Sequence, residues 1–469
     1  MSQTLSRKTH NQGSIVFLGG VLFAALFTLS LERGAGLMVM RGDDFHTEFE
    51  QAGLQPVPPR ALSASDLRAA DIAWDYFERN TRAETGLVDS VANYPSTTLW
   101  DQAGYVFALI SAQRLALITD EEFNRRLAPL LASLVKMDLY QGALPNKVYN
   151  TRTLAMTDYG NQTADVGVGF SALDLGRLLM SLRILELHAP EYGPDIRKIV
   201  AAWTTTAMTE GGELVGTTEL EDGPLTGQEG RIGYEQYAAR AAALWGLDVS
   251  QAISARRVID WQDIAGVKVP TDLRLASVFK SITPTLSEPY ILEGVELGFN
   301  HETQLLASRV YEAQAAHFAE TGIPTMVSED HINQPPHFLY SAVFSNGDPW
   351  AVVSETGERF DALRTLSVKA VFGWDAIFAT DYTAAMRQEV EDLGTPGQGW
   401  FAGIYEQDGS TNDILTLNTN AVVLEALHHR AFGPFLHMSA LDPDAEATAI
   451  WSTHPIHHRL TANETTLQQ

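Results

Sequence analysis

Residues 173–187, which read LDLGRLLMSLRILEL, decide the fold of this chain. Apolar residues cover most sides of a helix drawn over this stretch, so the helix must be buried on two faces. Residues 105–117 have the same character. Helices of this kind need other helices around them, and the pattern therefore predicts an inner layer of buried helices.

Other predicted helices are apolar on one face only and suit an outer layer. The clearest begins with Ser63 and Asp66, which form a capping pair, and continues with an apolar face that includes Trp74 and Phe77. Further helices are predicted at residues 99–118, 121–137, 170–187, 194–203, 234–245, 302–321, 362–379, 382–393 and 417–430. Two layers of helices joined by long loops predict an all-α fold, an α/α toroid of helical hairpins.

Smaller features complete the predicted architecture. Asn346 and Gly347 form a turn signal between two β-like runs and predict a small β-hairpin. Residues 204–232 and 262–300 are expected to be irregular. The sequence ETGL at 84–87, followed by Asp89, is repeated as ETGI at 320–323, followed by Glu329 and Asp330. This repeat favours a ring of similar hairpins with acidic residues at its mouth, although two occurrences are also compatible with chance.

The composition excludes several classes of function. The 469 residues include 32 Lys and Arg against 58 Asp and Glu, a net charge of −26, which argues against nucleic acid as a partner. Cysteine is absent, which excludes disulfides, thiolate metal sites and a cysteine nucleophile. His301 and Glu302 begin like a zinc protease motif, but Leu305 stands where the second histidine is required. We therefore expect no cofactor and no metal site; without EF-hand spacing, acidic loops give only weak support for calcium.

The N-terminus predicts a membrane anchor. Arg7 and Lys8 precede an uncharged apolar run at residues 15–31, and this order favours a cytoplasmic tail and an extracytoplasmic body. We expect four regions: residues 1–42 as tail and transmembrane anchor or uncleaved signal, 43–62 as a Pro-rich stalk, 63–435 as the toroid, and 436–469 as a polar tail. The predicted location is the cell envelope, with the body extracytoplasmic and the membrane that the anchor crosses, the inner membrane, as a partner.

Carboxylates accompany aromatic residues in several segments, which is the composition that carbohydrate chemistry needs. Hydrolysis of a glycosidic bond uses one carboxyl group to protonate the leaving oxygen and another to activate water or to attack. Glu235 lies in a predicted first helical turn, where the helix dipole favours the ionised form of a base. Glu406 lies in a Gly-rich aromatic loop, where desolvation would raise its pKa and suit an acid. The predicted catalytic residues are Asp101, Glu235, Glu406 and Glu329.

Sugar rings stack on aromatic faces and their hydroxyls bond to charged groups. The predicted substrate contacts are Trp100, Tyr105, Lys147, Tyr149, Arg152, Arg231, Tyr234, Tyr237, Trp400 and Tyr405. Simpler interpretations remain open. Asp101 follows Thr98 at the spacing of a helix cap, Trp100 and Tyr105 would also suit the core, and Lys147 and Arg152 would also pair with surrounding acids. Asp174 and Arg177 are expected to form a buried structural pair.

A series of segments in this order resembles a bacterial envelope domain family of unknown function. The segments are TGLVDSV, TTLWDQAGY, LPNKVYNTRT, GFSALDLGRLLMSLRIL, QEGRIGYEQYAA, TLSEPYILEGVELG, ETGIPTMVSED, LSVKAVFGWDAIF and GWFAGIYEQDG with LTLNTNAVVLEAL. The resemblance covers roughly residues 60–432. That family is similar to α/α-toroid glucosidase-like enzymes, including groups acting on β-1,2-glucans, and occurs beside exopolysaccharide synthesis machinery. The resemblance implies a toroid and a carbohydrate role, with secretion or synthesis machinery as a partner.

The sequence therefore predicts an envelope glycoside hydrolase acting on a bacterial glucan or exopolysaccharide. A first alternative is a polysaccharide lyase on the same toroid, using Tyr149, Asn146 and Arg152, although an acidic cleft would repel a uronate substrate. A second alternative is a non-catalytic glycan-binding component of a polysaccharide complex.

Overall fold

A computed structural model describes residues 48–274 and 281–438. Within these ranges the chain forms eleven α-helices. They are α1 Ala64–Asn80, α2 Leu99–Arg114, α3 Asp120–Lys136, α4 Ala172–His188, α5 Gly193–Ala201, α6 Tyr234–Ala243, α7 Glu288–Leu292, α8 His301–Thr321, α9 Val368–Ile377, α10 Asp381–Glu389 and α11 Leu417–Phe432. Helix α7 continues into a π-helical turn at Glu293–Leu297.

Six of the described helices form a closed inner ring. Contacts run from α2 to α4, α6, α7, α9 and α11 in turn, and α11 returns to contact α2. Helix α4 contains the stretch that predicted an inner layer, and its residues are buried on nearly all sides. Glycine allows close approach within the ring: a Cβ on Gly176 of α4 would lie 3.1 Å from the Ala238 Cβ of α6. The predicted buried layer is therefore present as a ring.

The outer layer consists of the helices that precede inner helices along the chain. Helices α1, α3, α5, α8 and α10 lead into α2, α4, α6, α9 and α11, respectively. Between α6 and α7, the described residues place a β-hairpin against α8 instead of an outer helix. Because inner helices alternate with outer connections, they run in the same direction and their N-termini meet at one end. We call this end the mouth.

Small β-sheets accompany the helices, so the all-α prediction is correct only for the two principal layers. The strands are β1 Ser96–Thr98, β2 Leu139–Tyr140, β3 Leu144–Pro145, β4 Val148–Asn150, β5 Thr209–Glu210, β6 Glu213–Leu220, β7 Gly223–Gln228, β8 Ile259–Ile264, β9 Val267–Asp272, β10 Glu329–His331, β11 Phe338–Ser341, β12 Phe344–Ser345, β13 Asp348–Pro349, β14 Val352–Val353, β15 Thr365–Ser367, β16 Gly394–Thr395, β17 Gly399–Tyr405 and β18 Thr411–Leu415. All pairings between these strands are antiparallel.

Local signals succeeded where they had a clear physical cause. Ser63 and Asp66 form the predicted capping box of α1. Asn346 and Gly347, with φ of 52° and 100°, form the predicted turn between β12 and β13. Gly322 ends α8 in the left-handed conformation, but α1 already ends at Asn80, before the first ETG sequence.

The prediction of irregular structure at residues 204–232 and 262–300 was wrong. The first range contains the hairpin β6–β7, whose register joins Val215 to Gln228. The second contains most of the hairpin β8–β9 and the inner helix α7. Helix α7 has only one turn before the π-helical segment, so its periodicity was too short to recognise.

The predicted anchor at residues 15–31 and the tail from residue 439 onward lie outside the described residues. No helix in the described part of the chain is long and apolar enough to cross a membrane. In the predicted stalk, the backbone of Val57 and Arg60 bonds to Ile377 of α9 and Arg430 of α11 at 2.8 and 2.7 Å. This part of the Pro-rich segment therefore lies against the toroid.

Candidate active site

Glu288 lies at the base of the mouth, among first-turn residues of the inner helices. We call this group of first-turn residues the floor. Glu288 begins α7, is almost fully buried and accepts hydrogen bonds from three directions. Trp100 Nε1 of α2 lies 3.1 Å from Oε1, Asn418 Nδ2 of α11 lies 2.9 Å from the same oxygen, and the Lys369 ammonium of α9 contacts Oε2. First-turn residues of four inner helices therefore meet at one carboxylate, which closes the floor.

Lys369 connects this floor to strand β10. Its side chain is 3% exposed, and its ammonium also lies 3.7 Å from Asp330 Oδ1. Burial raises the pKa of Asp330 to about 7, against the opposing effect of the Lys369 charge. Asp330 Oδ2 has no hydrogen-bond partner. At neutral pH this carboxyl group therefore holds a proton for much of the time.

Glu329 faces the mouth from the same strand. It is paired directly with Tyr340 of β11, so both side chains lie on one face of the sheet. The Tyr234 hydroxyl of α6 donates to Glu329 Oε1, and the Ser328 hydroxyl donates to Oε2 at 3.3 Å. Burial raises the pKa of Glu329, whereas the Lys369 charge opposes that rise. The structure therefore brings together Glu329, which was predicted as a catalytic residue, and Tyr234, which was predicted as a substrate contact.

Asp174 stands on the opposite side of the ring. It lies in the first turn of α4. In the ring of six helices, α4 is three helices away from α9, which carries Lys369. Burial, followed by the negative charge of Glu229, raises the pKa of Asp174 to about 7. Glu229 itself accepts the Ala172 N–H at 2.5 Å, at the N-terminus of α4. Asp174 remains partly open to solvent and is thus accessible to a ligand.

The charges of these carboxylates act on two tyrosines, Tyr340 and Tyr159. Burial raises the pKa of Tyr340, as do the charges of Glu329, Glu355, Asp174 and Glu288. Desolvation, followed by the charges of Asp174 and Glu355, raises the pKa of Tyr159, although 64% of its surface remains exposed. The charges of Glu329 and Asp174 thus both act on Tyr340. Tyr159 offers an exposed aromatic ring within range of the Asp174 charge.

A second buried network supports the floor from below. Arg177 Nη2 lies 3.0 Å from both Glu296 Oε1 and Glu425 Oε1, and its guanidinium lies 4.8 Å from the Trp100 ring. Tyr237 donates to Glu296 Oε2 at 2.5 Å. The expected Asp174–Arg177 pair is therefore wrong: Arg177 points into the ring and pairs with the two glutamates, whereas Asp174 faces the mouth.

Asp101 takes the capping role that the sequence left open. Its side chain accepts hydrogen bonds from Ser90 and, at 3.0 Å, from Thr98, which is the N-cap of α2. Burial raises the pKa of Asp101 while these two hydroxyls lower it. Its position is close to the floor, but its oxygens serve the start of the helix.

The other two predicted catalytic glutamates are held by arginines. Glu235 is buried at the start of α6, with Arg274 Nη2 2.7 Å from Oε2 and Gln228 Nε2 2.9 Å from Oε1. Glu406 lies beyond β17, where Arg364 Nε is 2.5 Å from Oε2. Burial raises the pKa of each carboxyl, and its arginine opposes the rise. Glu406 contacts Arg364 and not the residues around Glu329. Its predicted role as the acid is therefore corrected: Glu406 is a structural partner of Arg364.

Several predicted sugar contacts lack an accessible surface. Tyr105 is fully buried and stacks on Phe77, with 5.5 Å between ring centroids. The Tyr149 hydroxyl is held by the backbone of Asn146 and Asp138 at 2.7 Å. The buried residues corrected to packing or structural roles are Tyr105, Tyr149, Tyr237, Trp400 and Tyr405, which are 0–4% exposed. Aromatic residues were overpredicted because stacking on sugar and packing in a core favour the same side chains.

The predicted basic contacts have different positions. Lys147 lies at the rim, where its ammonium bonds to Thr218 Oγ1 at 2.9 Å and its charge acts on Asp174 and Glu229. Arg231 is buried and bonds to Gln228 Oε1 at 2.7 Å, so its prediction as a sugar contact is corrected. Arg152 is exposed on the loop after β4. In the described ranges no group of three or more His, Asp or Glu side chains is arranged to hold a metal ion.

Four residues that define the mouth were not predicted as site residues from the sequence: Glu288, Lys369, Asp330 and, in its exposed role, Asp174. Their common signal is position, because Asp174, Glu288 and Lys369 all lie in the first turn of an inner helix. A search for polar residues just after the starts of the most apolar helices would have found them.

A protein family model described as "Protein of unknown function (DUF3131)" matches residues 68–433. The chain belongs to this family. The match covers the described toroid from α1 to the end of α11, and it confirms the resemblance found in the sequence. No curated protein matches the chain in sequence.

Solved structures share the fold across most of their length. A candidate glucoamylase from Bacteroides caccae aligns with a TM-score of 0.59 and 10% identity, over 84% of this chain and 96% of that one. An endo-β-1,2-glucanase from Chitinophaga pinensis, in complex with sophorotriose and glucose, gives 0.57 and 14%, over 82% and 97%. A mutant endo-β-1,2-glucanase from Talaromyces funiculosus with bound β-1,2-glucan gives 0.51 and 13%, over 83% and 90%. At these identities the likeness shows the fold alone, which is an α/α toroid.

Proposed function

We propose that this protein is a glycoside hydrolase that cleaves a bacterial glucan or exopolysaccharide. The observation that carries the proposal is the position of Asp174 and Glu329 on opposite sides of one mouth, with Tyr340 paired to Glu329 across the sheet and subject to the charges of both carboxylates. Two carboxyl groups flanking a space with aromatic side chains are what glycosidic hydrolysis requires. The toroidal fold and its glucan-bound structural relatives support the same chemistry.

Asp174 is the proposed general acid. Its pKa of about 7 keeps a large fraction protonated at neutral pH, and the side chain is open to the mouth. It would donate its proton to the glycosidic oxygen as the bond to the leaving sugar breaks. Lys147 at the rim opposes the rise in pKa and thereby keeps the group able to release that proton.

Glu329 is the proposed base or nucleophile. Two hydroxyl donors and the charge of Lys369 favour its ionised form, although the site is buried. The two environments differ in their nearby anions and donors: the charge of Glu229 raises the pKa of Asp174, whereas Glu329 accepts two hydroxyl hydrogen bonds. In an inverting reaction Glu329 would take a proton from water, and in a retaining reaction it would attack the anomeric carbon itself.

The substrate that fits this mouth is a neutral or weakly charged sugar chain. Trp100 is half-buried and Tyr159 is exposed, so both offer faces for sugar rings. The carboxylates that surround them disfavour a uronate polymer. The envelope location, the inner-membrane anchor and an association with polysaccharide synthesis or secretion machinery are part of the proposal, supported by the apolar run at residues 15–31 and the basic residues before it.

The lyase alternative loses two of its three proposed residues in this structure, because only Arg152 is exposed. Tyr149 and Asn146 are fully buried, and the Asn146 amide donates to Val148 O at 2.7 Å and Thr157 O at 3.2 Å. Neither side chain is available to a uronate. The non-catalytic alternative is compatible with the same mouth, and the following assay separates it from the hydrolase.

The test incubates the full chain with a panel of β-glucans and amino-sugar polymers and identifies the products. We expect new reducing ends and no unsaturated sugar, with kcat reduced at least about 100-fold in both Asp174→Asn and Glu329→Gln. The matched control is Glu406→Gln, which also neutralises a buried glutamate but lies outside the mouth and should retain kcat. Glycan binding without any product from the unaltered chain would support the non-catalytic alternative.

A further inference from the structure

We propose that Lys369 is a positioning residue of this site, which ties strand β10 to the floor and so holds Glu329 at the mouth. The inference rests on the proposed function of Glu329 and adds a residue that the sequence analysis did not select. Lys369 lies in the first turn of α9, and its ammonium contacts Glu288 and Asp330 below the mouth.

The position of Lys369 beneath the strand follows from the strand geometry. Glu329 and Asp330 are consecutive in β10, so their side chains point to opposite faces. Glu329 shares its face with Tyr340 and accepts the Tyr234 hydroxyl, whereas Asp330 lies within 3.7 Å of the Lys369 ammonium. Attraction of Asp330 toward the floor therefore directs Glu329 into the mouth.

Lys369 is also anchored at its other side. The ammonium contacts Glu288 Oε2, and Glu288 is fixed by Trp100 and Asn418 from two further inner helices. The lysine thus joins a rigid part of the ring to a short strand of three residues. A short strand has few hydrogen bonds of its own, so the contact of the Lys369 ammonium with Asp330 Oδ1, whether that carboxyl is charged or neutral, contributes to its position.

The charges around Glu329 come from every element that packs near it. On its own strand Asp330 is adjacent, and the other groups are Tyr234 of α6, Tyr340 of β11, Arg177 and Asp174 of α4, Glu288 of α7 and Lys369 of α9. Of these, Lys369 and Arg177 carry positive charge, and Arg177 is already shared between Glu296 and Glu425. Lys369 is therefore the principal cation that favours ionised Glu329.

Lys369 faces three acids, Glu288, Glu329 and Asp330, and their charges raise its pKa. Glu288 also accepts hydrogen bonds from Trp100 and Asn418. Burial raises the pKa of Asp330 to about 7, so at neutral pH Asp330 is protonated for part of the time and then competes less with Glu329 for the lysine charge.

The experiment compares Lys369→Met with Lys369→Arg in the full chain and records kcat and KM against pH. In Lys369→Met we expect the acidic limb of the kcat profile to move up by at least about half a pH unit, with KM changed less than about three-fold. Lys369→Arg keeps the charge and should restore most of the shift. An unchanged acidic limb in Lys369→Met, with only lower thermal stability, would show a merely structural ion pair.

A second variant protects the test against misfolding. Lys369→Met leaves Glu288 buried without its cation, whereas Lys369→Met with Glu288→Gln removes the pair as a unit and retains an acceptor for Trp100. The double variant should fold, and its acidic limb should lie above that of Glu288→Gln alone, because these two variants differ only in the lysine charge. A double variant whose acidic limb matches that of Glu288→Gln contradicts the proposal.

A measurement without substrate separates failure of this inference from failure of the proposed function. Carbon-13 NMR of glutamate carboxyl groups, with Glu329 assigned from Glu329→Gln, follows the titration of Glu329 in the full chain. Its midpoint should rise in Lys369→Met and stay near the original value in Lys369→Arg. If no glycan is cleaved but the midpoint moves, the role of Lys369 stands and the hydrolase proposal fails; an unmoved midpoint rejects the role of Lys369.

Discussion

Trp100 Nε1 donates a 3.1 Å hydrogen bond to Glu288 Oε1 across the full width of the inner ring. The two residues are 188 positions apart and begin α2 and α7, which are three places from each other around six helices. The contact closes the ring lumen at the level of the first helical turns. A ligand can therefore approach the candidate catalytic residues from the loop side of the mouth, where Tyr159 and Tyr340 lie.

Replacing Trp100 by Phe should weaken glycan binding. Phe cannot donate to Glu288 and offers a smaller face, so we expect the Kd for a substrate oligosaccharide to rise roughly five-fold or more. Calorimetric titration of the unaltered chain and the variant measures this change. Trp400→Phe is the matched control, because the Trp400 indole bonds to Ala69 O at 3.0 Å inside the packing and should not affect affinity. Equal loss of affinity in both variants would place the binding site elsewhere.

Tyr159→Ala tests the exposed face of the mouth. The side chain is 64% exposed, so its removal should leave thermal stability within about 0.5 kcal/mol while raising KM several-fold through the loss of ring stacking. The control is Tyr192→Ala, because Tyr192 precedes α5 in the outer layer and bonds to Asn124 at 2.7 Å. A KM that responds equally to both variants, or to neither, argues against Tyr159 as a sugar platform.

The activity should fall as the pH rises through about 7. Asp174 acts only while protonated, and burial together with Glu229 sets its pKa at about 7. Replacing Glu229 by Gln removes the nearby negative charge and should shift the alkaline limb of the kcat profile to lower pH. A limb that moves upward in Glu229→Gln, or that does not move at all, would mean that another group is the acid.

Asp174 should also make the folded state less stable as the pH rises. The unfolded carboxyl has a pKa near about 3.9, so between that value and about 7 the folded state binds more protons and stability decreases as pH rises. Asp174→Asn does not ionise and escapes this loss. We expect the Tm difference between Asp174→Asn and the unaltered chain to be larger at pH 8 than at pH 5, by about 2 °C or more. A constant difference at the two pH values contradicts the raised pKa.

Gly169 is required where the hairpin β6–β7 meets the loop beneath it. Its φ is +111°, and a Cβ there would overlap the carbonyl oxygen of Thr217. The neighbouring backbone is paired closely, with Thr217 N 2.9 Å from Phe170 O. Gly169→Ala should lower the free energy of unfolding by about 2 kcal/mol or more, as measured by denaturant titration.

The matched control for Gly169 is Gly227→Ala in β7 of the same hairpin. Nothing lies within 4 Å of a Cβ at Gly227, and its φ is outside the left-handed region, so stability should be nearly unchanged. If Gly169→Ala is as stable as Gly227→Ala, the contact between the hairpin and the loop is not as close as the structure shows.

The helical layers could be predicted because their causes are local. The cap at Ser63, the apolar stretch in α4 and the Asn346–Gly347 turn each depend on neighbouring residues, and each was found. Helix α7 was missed because one turn is too short for periodicity to appear. The hairpin β8–β9 was missed for a related reason, because alternation over six residues is easily confused with an irregular loop.

The amino-acid sequence by itself determined a double layer of helices, a family, and a set of acids and aromatics suited to carbohydrate. It could not separate Glu329, which faces the mouth, from Glu406, which pairs with Arg364, because the two sit in similar local contexts. Only the closed ring decided which side chains meet. The physical reason is that charge partners such as Lys369 and Glu288 come from distant helices, so burial and ionisation of each acid depend on contacts that no sequence window contains.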